Sequence, residues 1–414
     1  MTDDTASNRI VTLDIVRGVA VMGILTMNIA AFAMPIPAYA NPAAYGGDSG
    51  LDLATWAFNF IIFDGKMRGL FSILFGASTL LVIERATASG RGGARSHYTR
   101  MIVLLGFGLV HFYFIWFGDI LALYALCGML LYFFRDKGPR ALVRWALGFL
   151  SISIIYFGLI GLTGALADNP GLPPDVAADM IESRRVIASE VGADSPKIAS
   201  DLTLYRSDYR TILDSRLDDR RWEPFQSIFG LGFETLGLMF LGMALFKSGF
   251  LTGEWDRARY RRWALRATAI AVPPLLFIAW WQASAAFDAV RIFLAFFALS
   301  TPFDVVLAIG WAAAIIWWVK SGALPAWKAR IAAAGRMAFT NYLATSLLMT
   351  SLFYGYGVSL FGEVSRAGLW LFVLGMWALI LLWSKPWIDR FHYGPLEWLW
   401  RSLARLQLQP LRKA

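Results

Sequence analysis

GLVHFYFIWFGDILALYALCG, residues 108–128, is apolar enough to lie within hydrocarbon, yet it holds His111, Asp119 and Cys127. An ionisable group at membrane depth costs roughly 2.5–3.5 kcal/mol on insertion scales, so it has a task or a partner. Outward from this stretch, apolar runs of roughly twenty residues recur along the whole chain, the length a bilayer demands of an α-helix. The 414 residues are 57% hydrophobic and 16% charged, well below the ~25% charge of soluble domains. The expected fold class is all-α: a polytopic α-helical integral membrane protein, built as a single membrane domain over residues 1–414.

About ten spans are expected, over 12–34, 66–84, 101–117, 119–134, 145–166, 224–246, 263–285, 292–319, 337–360 and 368–384. Residues 53–63 read as a short interfacial helix ahead of the second span. The AYA pattern at 38–40 follows the first apolar run, but Asp14 and Arg17 inside that run suit a retained helix better than a signal peptide. Twenty-five Lys and Arg fall in segments 1–17, 85–100, 135–144, 247–262, 320–336 and 385–414, against four (Lys66, Arg68, Arg291 and Arg366) in the short opposite segments. The positive-inside rule then assigns both termini to the cytoplasm of a multi-pass protein in a bacterial inner membrane. Segment 167–223, between spans five and six, carries twelve acidic and eight basic residues and reads as a helical extracytoplasmic cap. Residues 385–414 read as a cytoplasmic amphipathic tail, and the basic rim as a surface for anionic lipids or a polyanionic ligand.

One cysteine excludes an intramolecular disulfide, and the three histidines, far apart in sequence, show no ligand spacing, so no metal is expected. The chain has no Walker A loop or dinucleotide fingerprint, which argues against an ATP-driven pump. No nucleic-acid partner is expected, and a homodimer is the self-association left open. In LDIVRGVAVMGILTMN, 13–28, Asp14 and Arg17 share a helix face at i, i+3 and can pair with each other or meet a ligand. Asn28 lies some four turns further along. In FDGKMRGLFSILFGAS, 63–78, Asp64, Lys66 and Arg68 stand at the expected outer mouth of a span, where the cations oppose the positive-inside rule and suggest an anionic substrate group. Glu234, Asp304, Asn341 and Tyr342 are further polar residues in apolar surroundings. FGLIGLTGA and FGLGFETLG supply glycines for close helix packing.

His111 is a natural proton acceptor near neutral pH. In a continuous helix Asp119, eight residues on, would stand ~12 Å away and ~80° around, so a direct pair requires a break at Gly118. The structural alternative is a histidine bonded to backbone, with Asp119 capping the next helix.

LDIVRGVAVMGILTMN, KMRGLFSILFGAS, GLVHFYFIWFGDILALYALCG, GRMAFTNYLATSLLMTSLFYGYG and YGPLEWLWRSL resemble the signature blocks of the YeiB-type bacterial inner-membrane family, domain-of-unknown-function family 418. The likeness covers nearly the whole chain. The LDxxRG element (Leu13, Asp14, Arg17, Gly18) is similar to the opening helix of a broader transmembrane acyltransferase group that includes heparan-α-glucosaminide N-acetyltransferase. That resemblance implies transfer of an acyl group from cytoplasmic acyl-CoA, acetyl-CoA in the named enzyme, to an acceptor across the membrane. The enzyme's essential histidine lies in the loop after its first helix. The matching loop here, PIPAYANPAAYGGDSGLD, has none, so His111 would have to serve.

The leading expectation is therefore a transmembrane acyltransferase for a small-molecule, glycan or lipid-linked hydroxyl or amine. Asp14, Arg17, Arg100 and Arg336 would hold the CoA, and His111 would act as general base beside Asp119. Asn28, Asp64, Lys66, Arg68, Asn341 and Tyr342 would bind the acceptor. The rival expectations are a transporter or flippase for a small anionic or lipid-linked metabolite, gated by Lys66, Arg68, His111, Glu234 and Asp304, and a non-catalytic envelope interaction protein.

Overall fold

A computed structural model describes residues 10–90 and 92–413. The predicted cytoplasmic N-terminus, with Arg9, and the rim charge Arg91 lie outside the described residues. The described chain folds into helices α1 (Val11–Ala33), α2 (Gly50–Ile62), α3 (Lys66–Ala88), α4 (Gly93–Val110), α5 (Leu121–Leu131) and α6 (Pro139–Ala165). There follow α7 (Pro174–Val191), α8 (Lys197–Tyr205), α9 (Tyr209–Asp218), α10 (Glu223–Gly230), α11 (Gly232–Lys247) and α12 (Arg257–Ala283). The last are α13 (Ala289–Leu294), α14 (Thr301–Val319), α15 (Pro325–Arg336), α16 (Ala338–Phe353), α17 (Leu369–Arg390) and α18 (Pro395–Arg405). Among the described residues no strand forms beyond an isolated bridge between Phe391 and Arg412.

Seven helices are long and apolar enough to cross a membrane, or eight if the pair α10 and α11, bent by 68°, counts as one span. The expected ten are thus not met by length. Four predicted spans are shortened or broken. The fourth is the eleven-residue α5, ~16 Å long at 1.5 Å per residue. The sixth is the 16-residue α11 behind the bend, the eighth is divided by a π-helical turn at Ala295–Leu299, and the ninth is the 16-residue α16. Hydropathy registers apolar length but not a local break in the backbone ladder.

α1 is the hub: 78% of its most apolar window is buried inside the protein. Its Gly18 meets the Ile331 carbonyl of α15, and Gly335 of α15 meets the Asp14 carbonyl. A side chain at either position would hold the two backbones apart. The expected glycine packing is also present at Gly237 of α11, which lies against Leu150 and the Ala146 carbonyl of α6.

Segment 167–223 is helical, as its composition implied. Asp208 caps α9, accepting from the Arg210 and Thr211 amides at 2.9 and 3.1 Å, and these bonds hold its carboxyl below the usual carboxylate range. The cap is fastened down at several points: Asp201 accepts from the Ile36 amide at 2.8 Å, and Arg206 donates to the Phe361 carbonyl at 2.9 Å. The Asn41 amide donates to the Val191 and Phe287 carbonyls at 2.7 and 3.1 Å.

Candidate functional site

The chain around His111 departs from α-helix where the dyad forms. After α4 the backbone takes one π-helical turn, His111–Ile115, closed by the Trp116 amide on the His111 carbonyl at 2.8 Å. It then runs extended at Trp116 and re-enters a helix at Leu121. The helix is thus broken across Gly118, the condition for a direct pair, and the ~12 Å separation of a continuous helix does not arise. His111 Nδ1 and Asp119 Oδ1 are 2.8 Å apart, with side-chain exposures of 0% and 1%. The second carboxylate oxygen accepts from the Ala122 amide at 2.8 Å, so Asp119 also caps α5. Gly108 makes this approach feasible, because a Cβ there would collide with the Ala122 amide and crowd Asp119.

A carboxylate accepts and cannot donate, so Nδ1 carries a hydrogen, and in the neutral imidazole Nε2 is then the acceptor. Among the described residues the buried Nε2 has no hydrogen-bond partner, and neither does the buried Nε1 of Trp116. Aromatic rings enclose the dyad. Tyr342 lies 5.2 Å from the His111 ring and Trp116 lies 6.2 Å away, while Phe32 stacks on Trp116 at 3.9 Å. The Tyr342 hydroxyl donates to the Gly118 carbonyl at 3.3 Å. The cap closes over the same turn, with Tyr209 donating to the Phe114 carbonyl at 2.9 Å and Tyr113 to the Arg221 carbonyl at 2.5 Å.

Phe32 and Tyr342 also line a crevice between α1 and α16, together with Val21, Ile24, Leu25, Asn28, Thr345 and Ser346. Its free volume is about 10 Å³, the room of about one water. Asn28 and Tyr342 thus share one wall system with the dyad. Asn341 faces elsewhere: its amide donates to the Ala334 carbonyl and the Ser384 hydroxyl, and its oxygen accepts from Trp383 at 3.0 Å. It ties α15, α16 and α17 together.

A second polar layer lies deeper than expected. Asp64 and Lys66 are buried rather than exposed at an outer mouth: α3 follows α2 through Gly65, at φ +69°, and its Met67 packs against Gly23, midway along α1. Lys66 is fully buried, 2.6 Å from Asp304 and donating to the Phe60 carbonyl at 2.5 Å. Arg68 donates to both oxygens of Glu234 at 2.7 and 2.8 Å. Ser300 donates to Asp304 at 2.7 Å. The starts of three helices, α3, α11 and α14, therefore meet, and the cations of the first pair with the carboxylates in the first turns of the other two. Those carboxylates suit the positive ends of their own helices. Tyr124 joins this layer through a 2.6 Å bond with Ser72.

The four residues expected at the opposite end all lie there. Arg17 bridges Asp14 at 3.4 Å and donates to Ser78 at 2.8 Å. Arg100 stacks on the Trp400 ring at 4.5 Å while Trp400 donates to its carbonyl at 3.0 Å. Arg336 donates to the His392 carbonyl at 3.0 Å. Along α1, Arg17 and Asn28 are ~16 Å apart, so the basic end and the dyad flank the crevice. Among the described residues no group of three His, Cys, Asp or Glu could hold a metal ion.

The chain is 34% identical to the uncharacterized protein YeiB of Escherichia coli (strain K12), over 95% of its own length and 96% of that protein. The chain belongs to the YeiB-type DUF418 family. It is also 29% identical to the uncharacterized protein YxaH of Bacillus subtilis (strain 168), over 98% of this chain and 97% of that one. The family model, described as a protein of unknown function (DUF418), matches residues 245–407. That stretch holds Arg336, Asn341 and Tyr342, whereas His111 and Asp119 precede it. No solved structure matches the chain significantly.

Trp116, Phe32, Tyr124 and Trp400 were not singled out from the sequence, where each is one of many aromatics in apolar runs. Trp116 had one local signal, a tryptophan placed between the two ionisable residues of the dyad.

Proposed function

We propose that this member of the DUF418 family is a transmembrane acyltransferase of the bacterial inner membrane. It would take an acyl group from acyl-CoA at the Arg17 end, facing the cytoplasm, and deliver it to an acceptor beneath the cap. The observation that carries the reading is the buried His111–Asp119 dyad with a free Nε2. A carboxylate on Nδ1 holds the imidazole in the tautomer whose other nitrogen can take a proton. The guanidinium groups of Arg17, Arg100 and Arg336 suit phosphate and would hold the nucleotide end of CoA. The acceptor is a small molecule, glycan or lipid-linked compound. Anionic lipids would flank the basic rim.

The test is thermal stability of detergent-purified protein with CoA, acetyl-CoA and longer acyl-CoAs, with ATP as polyanion control, followed by thioester consumption. Binding to the folded state raises stability by about 2.7 kcal/mol at a hundredfold excess over Kd. The expected result is a CoA-specific shift that weakens in Arg17→Gln and thioester consumption that vanishes in His111→Gln. An equal shift with ATP and no consumption would remove the proposal.

A second reading rests on the Lys66–Asp304 and Arg68–Glu234 layer. Broken helices meeting at buried charges are how many transporters build a substrate site. Uptake or release by sealed vesicles without thioester consumption would favour it. The pairing of both cations with carboxylates leaves less charge for an anionic substrate than the isolated cations suggested.

A further inference from the structure

Two polar atoms beside the dyad, His111 Nε2 and Trp116 Nε1, are buried among the described residues without a hydrogen-bond partner. Leaving a buried polar atom unpaired costs about 1–3 kcal/mol, and both belong to rings 0% and 2% exposed. The two rings meet edge to face with centroids 6.2 Å apart. Each ring is fixed from behind: His111 by Asp119 and Tyr342, and Trp116 by Phe32 and by Gly118, where a side chain would run into the indole. The pair is unlike in kind. Nε2 accepts, because Nδ1 holds the imidazole hydrogen against Asp119, and the indole N–H can only donate.

We propose that this donor–acceptor pair is the acceptor subsite, that it selects a hydroxyl over an amine, and that Trp116 is a catalytic residue holding the attacking oxygen. The inference rests on the acyl-transfer reading and narrows its substrate class. A hydroxyl has one hydrogen and two lone pairs. Its hydrogen goes to Nε2, one lone pair accepts from the indole N–H, and the second remains to attack. An ammonium has only donors, so it opposes the indole N–H. A neutral amine has a single lone pair, which cannot both accept from Trp116 and attack.

The step balances. Nε2 takes the hydroxyl proton as the oxygen bonds to the thioester carbonyl carbon. The tetrahedral intermediate collapses with cleavage of the C–S bond, and the leaving thiolate takes the proton back from Nε2. An ester and a free thiol result, and His111 returns to its starting form.

The experiment uses full-length protein carrying ¹⁵N-indole tryptophan, with the Trp116 resonance assigned by its loss in Trp116→Phe. Titration with 1-octanol is expected to move that resonance, and titration with octylammonium is not. In parallel, acetyl-CoA consumption is followed with water, 1-octanol or octylamine as acceptor. Trp116→Phe is expected to lower kcat about 100-fold with KM for acetyl-CoA unchanged. A β-(3-benzothienyl)alanine at position 116, which keeps the ring shape and lacks the N–H, is expected to do the same. The exposed Trp222 serves as control, Trp222→Phe retaining full rate. An unmoved indole resonance, equal movement by octylammonium, preferred N-acylation, or full activity in the benzothienyl variant would overturn the inference. If the wild-type protein consumes no thioester, the acyl-transfer reading falls, and the indole resonance still decides whether the pair receives a hydroxyl.

Discussion

His111 and Asp119 stand out in the sequence as costly residues in hydrocarbon, but their contact does not. Eight residues apart on a regular helix they diverge, and a single π-helical turn followed by extended chain brings them to 2.8 Å. No residue in HFYFI announces that turn. Asp119→Asn keeps an acceptor for the Ala122 amide but lets the side chain donate to Nδ1, which moves the imidazole hydrogen to Nε2. We expect a fall in kcat on the order of 10⁴-fold in thioester consumption, with little change in melting temperature. Gly108→Ala tests the packing that permits the contact. Its Cβ meets backbone of α5, and overpacking of this kind costs about 1–3 kcal/mol, measurable as a lowered Tm.

At the scale of elements, stretches far apart in sequence lock together in space. Glu397 of α18 accepts from the Phe339 and Thr340 amides at 2.8 and 3.1 Å and from the Thr340 hydroxyl at 2.5 Å. It thereby caps α16 from another helix and joins YGPLEW to GRMAFTNY, though some fifty residues separate them. Burial pushes the Glu397 carboxyl above its usual range, against the bonds that hold it charged. A raised folded-state value means that its contribution to stability is full below the unfolded value, near 4.5, and is lost as pH rises through the folded value. Glu397→Gln does not titrate, so the stability difference between wild type and variant should decline with rising pH in thermal melts. The ion-pair layer gives a second test. Lys66→Met strands Asp304 and should cost about 3–5 kcal/mol. Adding Asp304→Asn should restore part of that loss, as a double-mutant cycle in chemical denaturation would report.

For the whole molecule, three features follow one another along α1: a basic end holding Arg17 and Arg100, a narrow crevice, and a capped end holding the dyad. The proposed orientation can be read with cysteine labelling, because the native Cys127 is fully buried. In intact cells a membrane-impermeant maleimide should label Asp214→Cys in the cap. It should reach Arg140→Cys, at the start of α6, only after permeabilisation. The reverse pattern would invert the topology. The membrane class, the helical cap and the family blocks follow from the sequence alone, because hydrophobic run length and charge placement are one-dimensional properties that a bilayer reads directly. The tertiary structure decided which polar residues meet: His111 with Asp119, Lys66 with Asp304, Arg68 with Glu234, and Glu397 with the start of α16. It also decided that several predicted spans are short or broken. Those outcomes depend on local departures from the α-helical ladder and on which helix faces close around them, and neither leaves a periodic trace in the chain.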